Sequence, residues 1–281
     1  MTARVLGVLN VTPDSFSDGG LHDTVEAAVA HGTALAAAGA DIVDVGGEST
    51  RPGADRVPET EELRRTLPVV RALADRGIAV GIDTMRAPVA EAALAAGAVL
   101  VNDVSGGLAD PRMAALVAAT DAGWVLTHWR GPSATMDDRA VYDDVVAEVR
   151  AELLDRVDVA VAAGVRPDRI VLDPGFGFAK RAHHDVALLA GLHTLVATGF
   201  PVLAGTSRKR FVGSLTGRSV AVDRDAGTLA TVVLAVQQGV WGVRVHAVAP
   251  ARDAIRVVAA VCAQDAVAGG CGRCVPKVRA W

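Results

Sequence analysis

Lysine and asparagine are scarce. Only Lys180, Lys209 and Lys277 occur among 281 residues, and the only asparagines are Asn10 and Asn102. Alanine and arginine are abundant instead, as in a GC-rich genome, so the surviving lysines and asparagines mark candidate positions for chemistry. Long apolar runs are lacking. Stretches such as 229–236 fall short of the roughly 20 residues that span a bilayer, which excludes a membrane helix. No apolar stretch precedes the first strand-like segment, so no signal peptide is expected and a cytoplasmic location is the default. An excess of basic charge is lacking too. Lys and Arg number 28 against 32 Asp and Glu, a net charge of −4. That speaks against nucleic acid as the main partner, because phosphate binding wants a basic face. The three cysteines are not expected to form a disulfide framework. Cys262 falls in a helical pattern as a small core residue. Cys271 and Cys274 form a lone CxxC without the second ligand pair that zinc needs.

Hydrophobic residues make up 51% of the chain, enough for a large core. Short valine-rich runs alternate with longer amphipathic stretches. The runs at 4–10, 41–46, 78–83, 99–102, 124–128, 169–173, 201–206 and 242–246 read as strands covered on both faces. Helical patterns lie between them at 25–38, 59–76, 87–96, 111–121, 143–163, 185–197, 226–238 and 251–263. Gly39, Gly77, Gly97, Gly164, Gly199 and Gly239 stand near helix ends, where a left-handed residue is tolerated. Asp110 with Pro111 reads as a helix start. Repeated strand–helix units imply parallel strands with right-handed crossovers. The expected fold is therefore α/β: a single-domain (β/α)₈ TIM barrel over residues 1–265, with 266–281 as a flexible tail. A doubly wound open sheet is the runner-up, disfavoured by the lack of a G-x-G-x-x-G turn opening a helix.

Almost every strand candidate ends in a polar group: Asn10, Glu48 and Arg51 after the second strand, Asp83, Asn102, His128, Asp173, Ser207 and His246. Any one of these could serve a turn or a cap. As a set they ring one mouth of a barrel, where active sites form. Five segments strengthen the pattern. Residues 10–20 (NVTPDSFSDGG) and 46–53 (GGESTRPG) are Gly- and Pro-punctuated loops. Residues 173–180 (DPGFGFAK) place aromatics beside an acid. Residues 206–211 (TSRKRF) start a helix whose amides favour an anion. Arg244 and His246 lie two apart on one strand, hence on one face. His183-His184 and the acidic stretch 137–144 read as solvated surface, Met85 and Met113 as core, and His128-Trp129-Arg130 as packing.

Those five segments, with 82–84 (IDT) and 102–107 (NDVSGG), resemble the dihydropteroate synthase family from about residue 7 to 258, in an actinobacterial style. The resemblance implies that 6-hydroxymethyl-7,8-dihydropterin pyrophosphate condenses with para-aminobenzoate to give 7,8-dihydropteroate and pyrophosphate. It implies Mg²⁺, a homodimer and sensitivity to sulfonamides. Asp173 would accept paired bonds from the pterin 2-amino and ring N–H edge. Asp83 and Asn102 would bind other ring edges, and Lys209 the ring nitrogen or carbonyl oxygen. Asn10, Arg51, Arg244 and His246 would hold pyrophosphate, with Asn10 and Asp14 or Asp18 near the metal. Ser207 would meet the aminobenzoate carboxylate, while Phe16, Thr50, Pro52 and Phe178 wall its ring. Loops after the first two strands would close over the site. Two positions depart from the family pattern: Thr127 where Met is common, and Ala247 where Asp is usual. The rival readings are a pterin-binding methyltransferase-like barrel, which needs no pyrophosphate clamp, and a non-catalytic pterin-binding paralogue, which would have lost part of it.

Overall fold

Valine, isoleucine and leucine dominate the strand segments, and eight of them pair in parallel among the described residues. The computed structural model describes residues 2–11, 25–48, 56–132 and 135–267, with residues 265–267 described by backbone alone. The strands are β1 (Arg4–Asn10), β2 (Ile42–Gly46), β3 (Val80–Asp83) and β4 (Leu100–Asp103). They continue with β5 (Gly123–Thr127), β6 (Ile170–Asp173), β7 (Leu203–Ala204) and β8 (Gly242–Val245). The ladder runs β6-β5-β4-β3-β2-β1-β8-β7, and a parallel bridge from Leu172 to Val202 joins its two ends. That bridge rounds the sheet into the expected (β/α)₈ barrel and excludes the open doubly wound sheet.

Helices lie between the strands: α1 (Val25–Ala37), α2 (Glu59–Ala74), α3 (Ala87–Ala95), α4 (Met113–Ala118) and α5 (Val145–Ala162). Then come α6 (Ala182–Ala190), α7 (Leu192–Val196), α8 (Arg210–Thr216), α9 (Asp225–Gln237) and α10 (Val248–Val267). The six helix-end glycines foreseen all have positive φ. Among the described residues no helix is long and apolar enough to cross a membrane.

Two cores follow from strand alternation. Val5, Leu9, Val43, Val45, Val80, Ile82, Val101 and Leu126 join the helices in the outer layer. Leu6, Ile42, Leu100, Val125, Val171 and Leu203 fill the barrel interior with Trp241. Each such side chain contributes roughly 1.5–3 kcal/mol by burial. The interior set fixes the parity of six strands, β1, β2 and β4 to β7. Two and four residues beyond Leu6 and Ile42 come Val8 and Asn10, then Asp44 and Gly46. Two beyond Leu100, Val125, Val171 and Leu203 come Asn102, Thr127, Asp173 and Gly205. Strand register then lines up Asn10 with Gly46, Gly46 with Asp83, Asp83 with Asn102, and Thr127 with Asp173.

Two local expectations need correction and two hold. His184 is buried, not solvated; its Nδ1 accepts from the Arg181 N–H at 3.1 Å and caps α6. Asp144 is exposed, as expected of the acidic stretch, and also caps α5 by accepting from the Val146 and Ala147 N–H groups at 3.0 and 3.1 Å. Asp110 leads into α4 as the expected helix start: its carboxylate accepts from the Arg112 N–H at 3.1 Å and the Ala87 N–H at 2.9 Å, and its carbonyl accepts from the Met113 N–H at 3.1 Å. Cys262 packs against the main core as expected, yet is disulfide-bonded, against the expectation for the three cysteines.

Candidate active site

Because parity aims alternate residues inward, the inner face becomes polar where the apolar layer ends. Arg244 of β8 lies at its centre. Its Nε donates to Asp44 Oδ2 at 2.6 Å and its Nη2 to Asp83 Oδ2 at 2.7 Å. Asn102 Nδ2 donates to the same Asp44 oxygen at 2.8 Å. Asp44 Oδ1 has no hydrogen-bond partner although it is buried, which leaves an acceptor unspent inside the barrel. Asn10 closes this side: a Cβ on Gly46 would stand 3.6 Å from both Asn10 Oδ1 and Asp83 Oδ2. Burial pushes the Asp83 carboxyl up, against the pull of Arg244.

Across the mouth, Asp173 ends β6. One of its oxygens accepts from the Gly175 N–H at 2.7 Å. Burial raises its pKa, offset by that N–H and by Lys209. The Lys209 ammonium sits 4.1 Å from the centroid of the Phe178 ring, a cation–π contact. Burial brings Lys209 down to about 8, against the pull of Asp173.

The turn carrying Ser207 and Lys209 is held from outside. Arg208 between them has φ 58°, a left-handed backbone uncommon for a residue with a Cβ. Its guanidinium forks onto Asp225 at 2.7 and 2.8 Å, and its N–H donates to Thr228 Oγ1 at 3.1 Å. Ser207 Oγ lies 3.0 Å from His246 Nδ1 and accepts from the His246 N–H at 3.2 Å. With the hydroxyl hydrogen directed to Nδ1, Nε2 carries the ring proton. Burial, then Arg244 and Arg208, lowers His246 to about 3. The ring is therefore neutral and gains protons more readily once an anion lies against it.

The structure thus gathers Asn10, Asp83, Asn102, Asp173, Phe178, Ser207, Lys209, Arg244 and His246 at the C-terminal strand ends. Asp14, Phe16, Asp18, Thr50, Arg51 and Pro52 lie outside the described residues, as do the CxxC and the segment 268–281. Thr127 is buried at the end of β5, opposite Asp173 in register. Ala247 follows His246 and accepts from the Ala251 N–H at 3.4 Å as α10 begins.

Three features escaped the sequence reading. Asp44 is one, although a carboxylate inside the run IVDVG was a signal. Glu48 accepts from Arg86 at 2.7 Å and from Arg56 at 2.8 Å, which makes it an anchor for the β2–α2 connection. Arg86 also meets Glu62, and Thr84 Oγ1 donates to Glu62 at 2.6 Å. His128 does more than pack: its ring bonds Lys180 and Glu152.

Among the described residues no group of three or more His, Cys, Asp or Glu forms a metal cluster. Asn10 fits a different kind of metal site. A neutral amide oxygen suits a hard ion that takes most of its ligands from phosphates and water.

The family model for pterin binding enzymes matches residues 6–246. A dihydropteroate synthase of Mycobacterium leprae is 57% identical over 263 residues, covering 92% of this chain and 93% of that protein. The Xanthomonas albilineans dihydropteroate synthase solved with 4-aminobenzoic acid superposes with a TM-score of 0.87 at 50% identity, covering 93% of this chain and 94% of that one. The Yersinia pestis dihydropteroate synthase in a sulfonamide drug complex gives 0.89 at 40% identity, covering 93% and 95%. On this geometry and these likenesses the chain belongs to the pterin-binding enzymes, as a member of the dihydropteroate synthase family.

Proposed function

We propose that the chain joins 6-hydroxymethyl-7,8-dihydropterin pyrophosphate to para-aminobenzoate, releasing pyrophosphate and 7,8-dihydropteroate, for folate biosynthesis in the cytoplasm. The observation that carries the reading is one rim with two functions. Asp83, Asn102 and Asp173 offer the acceptors and amide that read a pterin edge. Arg244, Lys209 and His246 stand beside them to meet negative charge. A methyltransferase-like barrel has no use for that second set.

The chemistry asks for positioning and charge stabilisation more than for a strong base. The bond between the exocyclic methylene and the pyrophosphate oxygen breaks, and its electron pair leaves with pyrophosphate. The electron-rich dihydropterin ring carries the resulting cation. The neutral amine attacks the methylene, forms the C–N bond and loses a proton. Arg244 and the His246 Nε2–H meet the leaving group, joined by Arg51. Ser207 takes the aminobenzoate carboxylate, with Phe178, Phe16, Thr50 and Pro52 around the ring. Mg²⁺, held at Asn10 with Asp14 or Asp18, would neutralise pyrophosphate charge.

A homodimer and sulfonamide sensitivity complete the proposal. The exposed Leu234 of α9 and Val257 and Val261 of α10 offer apolar surface for a second copy. The sulfonamide complex of the Yersinia relative supports the drug reading.

Calorimetry with pterin pyrophosphate and Mg²⁺ tests the substrate assignment. The wild type should bind without aminobenzoate, and Lys209→Ala should bind at least about tenfold more weakly, the loss of a charged hydrogen bond. A wild type that ignores pterin pyrophosphate, or a Lys209→Ala variant that binds equally well, contradicts it.

A further inference from the structure

Beneath the rim, the segment 173–180 folds back onto an ammonium that the mechanism leaves unused. Lys180 is 3% exposed. Its Nζ lies 2.9 Å from His128 Nδ1, 3.0 Å from Gly175 O and 3.0 Å from Phe178 O. Those are three acceptors for the three N–H bonds of an ammonium, and none is a carboxylate. The segment it ties is tightly coiled. Phe178 N donates to Gly175 O at 3.0 Å, and Gly175, Gly177 and Ala179 have φ of 70°, 72° and 49°. A non-glycine at Ala179 stays in that conformation only when its surroundings insist. The same few residues present Asp173, through the Gly175 N–H, and Phe178, beneath Lys209.

The direction of the histidine contact is set from the other side. His128 Nε2 lies 3.0 Å from Glu152 Oε2, and Arg130 Nε donates to Glu152 Oε1 at 3.1 Å. The bond to His128, then that to Arg130, keeps Glu152 ionised down to about 2 despite its partial burial. A carboxylate opposite Nε2 places the ring proton there, so Nδ1 is left as an acceptor. An N–H at Nδ1 would confront the ammonium.

We propose that Lys180 is a positioning residue for pterin: its ammonium, received by a His128 whose tautomer Glu152 selects, holds the 173–180 backbone in the shape that presents Asp173 and Phe178. The inference rests on the reading that Asp173 and its segment bind the pterin. Because the same segment carries Phe178 against the aminobenzoate ring, it predicts a defect that is several-fold larger for the pterin than for aminobenzoate.

Steady-state kinetics and pterin pyrophosphate calorimetry on the full chain test it, using Lys180→Met, His128→Asn and His128→Leu. Asparagine Oδ1 can stand where His128 Nδ1 accepts; leucine cannot. Lys180→Met should raise the KM and Kd for pterin pyrophosphate about tenfold or more, leaving the aminobenzoate KM within about threefold. His128→Asn should stay within about threefold of wild type, while His128→Leu shows the larger loss toward the pterin. If Lys180→Met does not fold, the histidine pair decides alone. Unchanged pterin affinity in Lys180→Met, equal losses for both substrates, or His128→Leu binding as well as His128→Asn overturns the proposal. Failure of the wild type to bind pterin pyrophosphate overturns the functional reading instead.

Discussion

Asp44 shows how one charged residue organises the barrel interior. It stands two residues beyond Ile42 on the same strand, so alternation points both inward. It takes hydrogen bonds from Arg244 and Asn102, whose chain positions are 200 and 58 residues away. Removing it strips Arg244 of one of its two carboxylates inside the barrel. Asp44→Ala should lose about 3 kcal/mol of stability in urea denaturation, because breaking a buried pair leaves a charge uncompensated. Pterin affinity should fall with it. A variant as stable as wild type would show that Arg244 leans on Asp83 alone. His128 carries a pH signature. Burial first, then Lys180, lowers it to about 4, so between its unfolded value near 6.5 and about 4 the unfolded chain binds a proton that the folded chain refuses. Stability from this group is therefore present above that window and lost as pH falls through it. The stability of wild type relative to His128→Asn should drop by up to about 3 kcal/mol from pH 6.5 to 4. A pH-independent difference measured by denaturation would contradict the assignment. Asn10, Asp83, Asn102, Asp173 and His246 were legible because each ends an apolar run. Asp44 was not, because it lies inside one and its partners are distant in sequence.

At the level of elements, strands were easier to read than the joints between them. The valine runs placed all eight strands, since a strand covered on both faces tolerates little else. The seventh run shrank most: of 201–206, only Leu203–Ala204 forms β7, and Gly205 already belongs to the turn toward Ser207. The pattern at 185–197 read as one helix but is two. Gly191 divides α6 from α7, and a Cβ there would fall 2.9 Å from both methyls of Val146 on α5, so the close approach of α5 dictates the glycine. The short α8 was foreseen only as a helix start, because six or seven residues carry too little periodicity. Gly175 is the tightest joint. A Cβ there would stand 2.2 Å from His128 O, at φ 70°. Gly175→Ala should cost about 3 kcal/mol or more and weaken pterin binding with it, measured by thermal unfolding and calorimetry. A stable variant with wild-type affinity would mean that the 173–180 segment adapts freely.

On the scale of the whole molecule, the barrel converts a one-dimensional pattern into a ring. Residues from seven strands meet because the bridge from Leu172 to Val202 brings the ends of the ladder together. That convergence is what the sequence pattern alone anticipated through its strand-end polar groups. The pairing inside the ring was hidden, since alternation gives a face but not a partner. Lys180 illustrates the difference: its rarity marked it as a candidate, while its bonds to His128 and two carbonyls required the fold. The departures at Thr127 and Ala247 sit at the ends of β5 and β8, next to the rim in both cases, so they bear on turnover more than on folding. The most direct test is pyrophosphate release by the purified chain given the pterin pyrophosphate, Mg²⁺ and para-aminobenzoate, with the product identified by mass. Amine-dependent release with dihydropteroate formed is the predicted result. Tight pterin binding without release would contradict the synthase reading and identify a pterin-binding paralogue, with Thr127 and Ala247 as the first positions to revert.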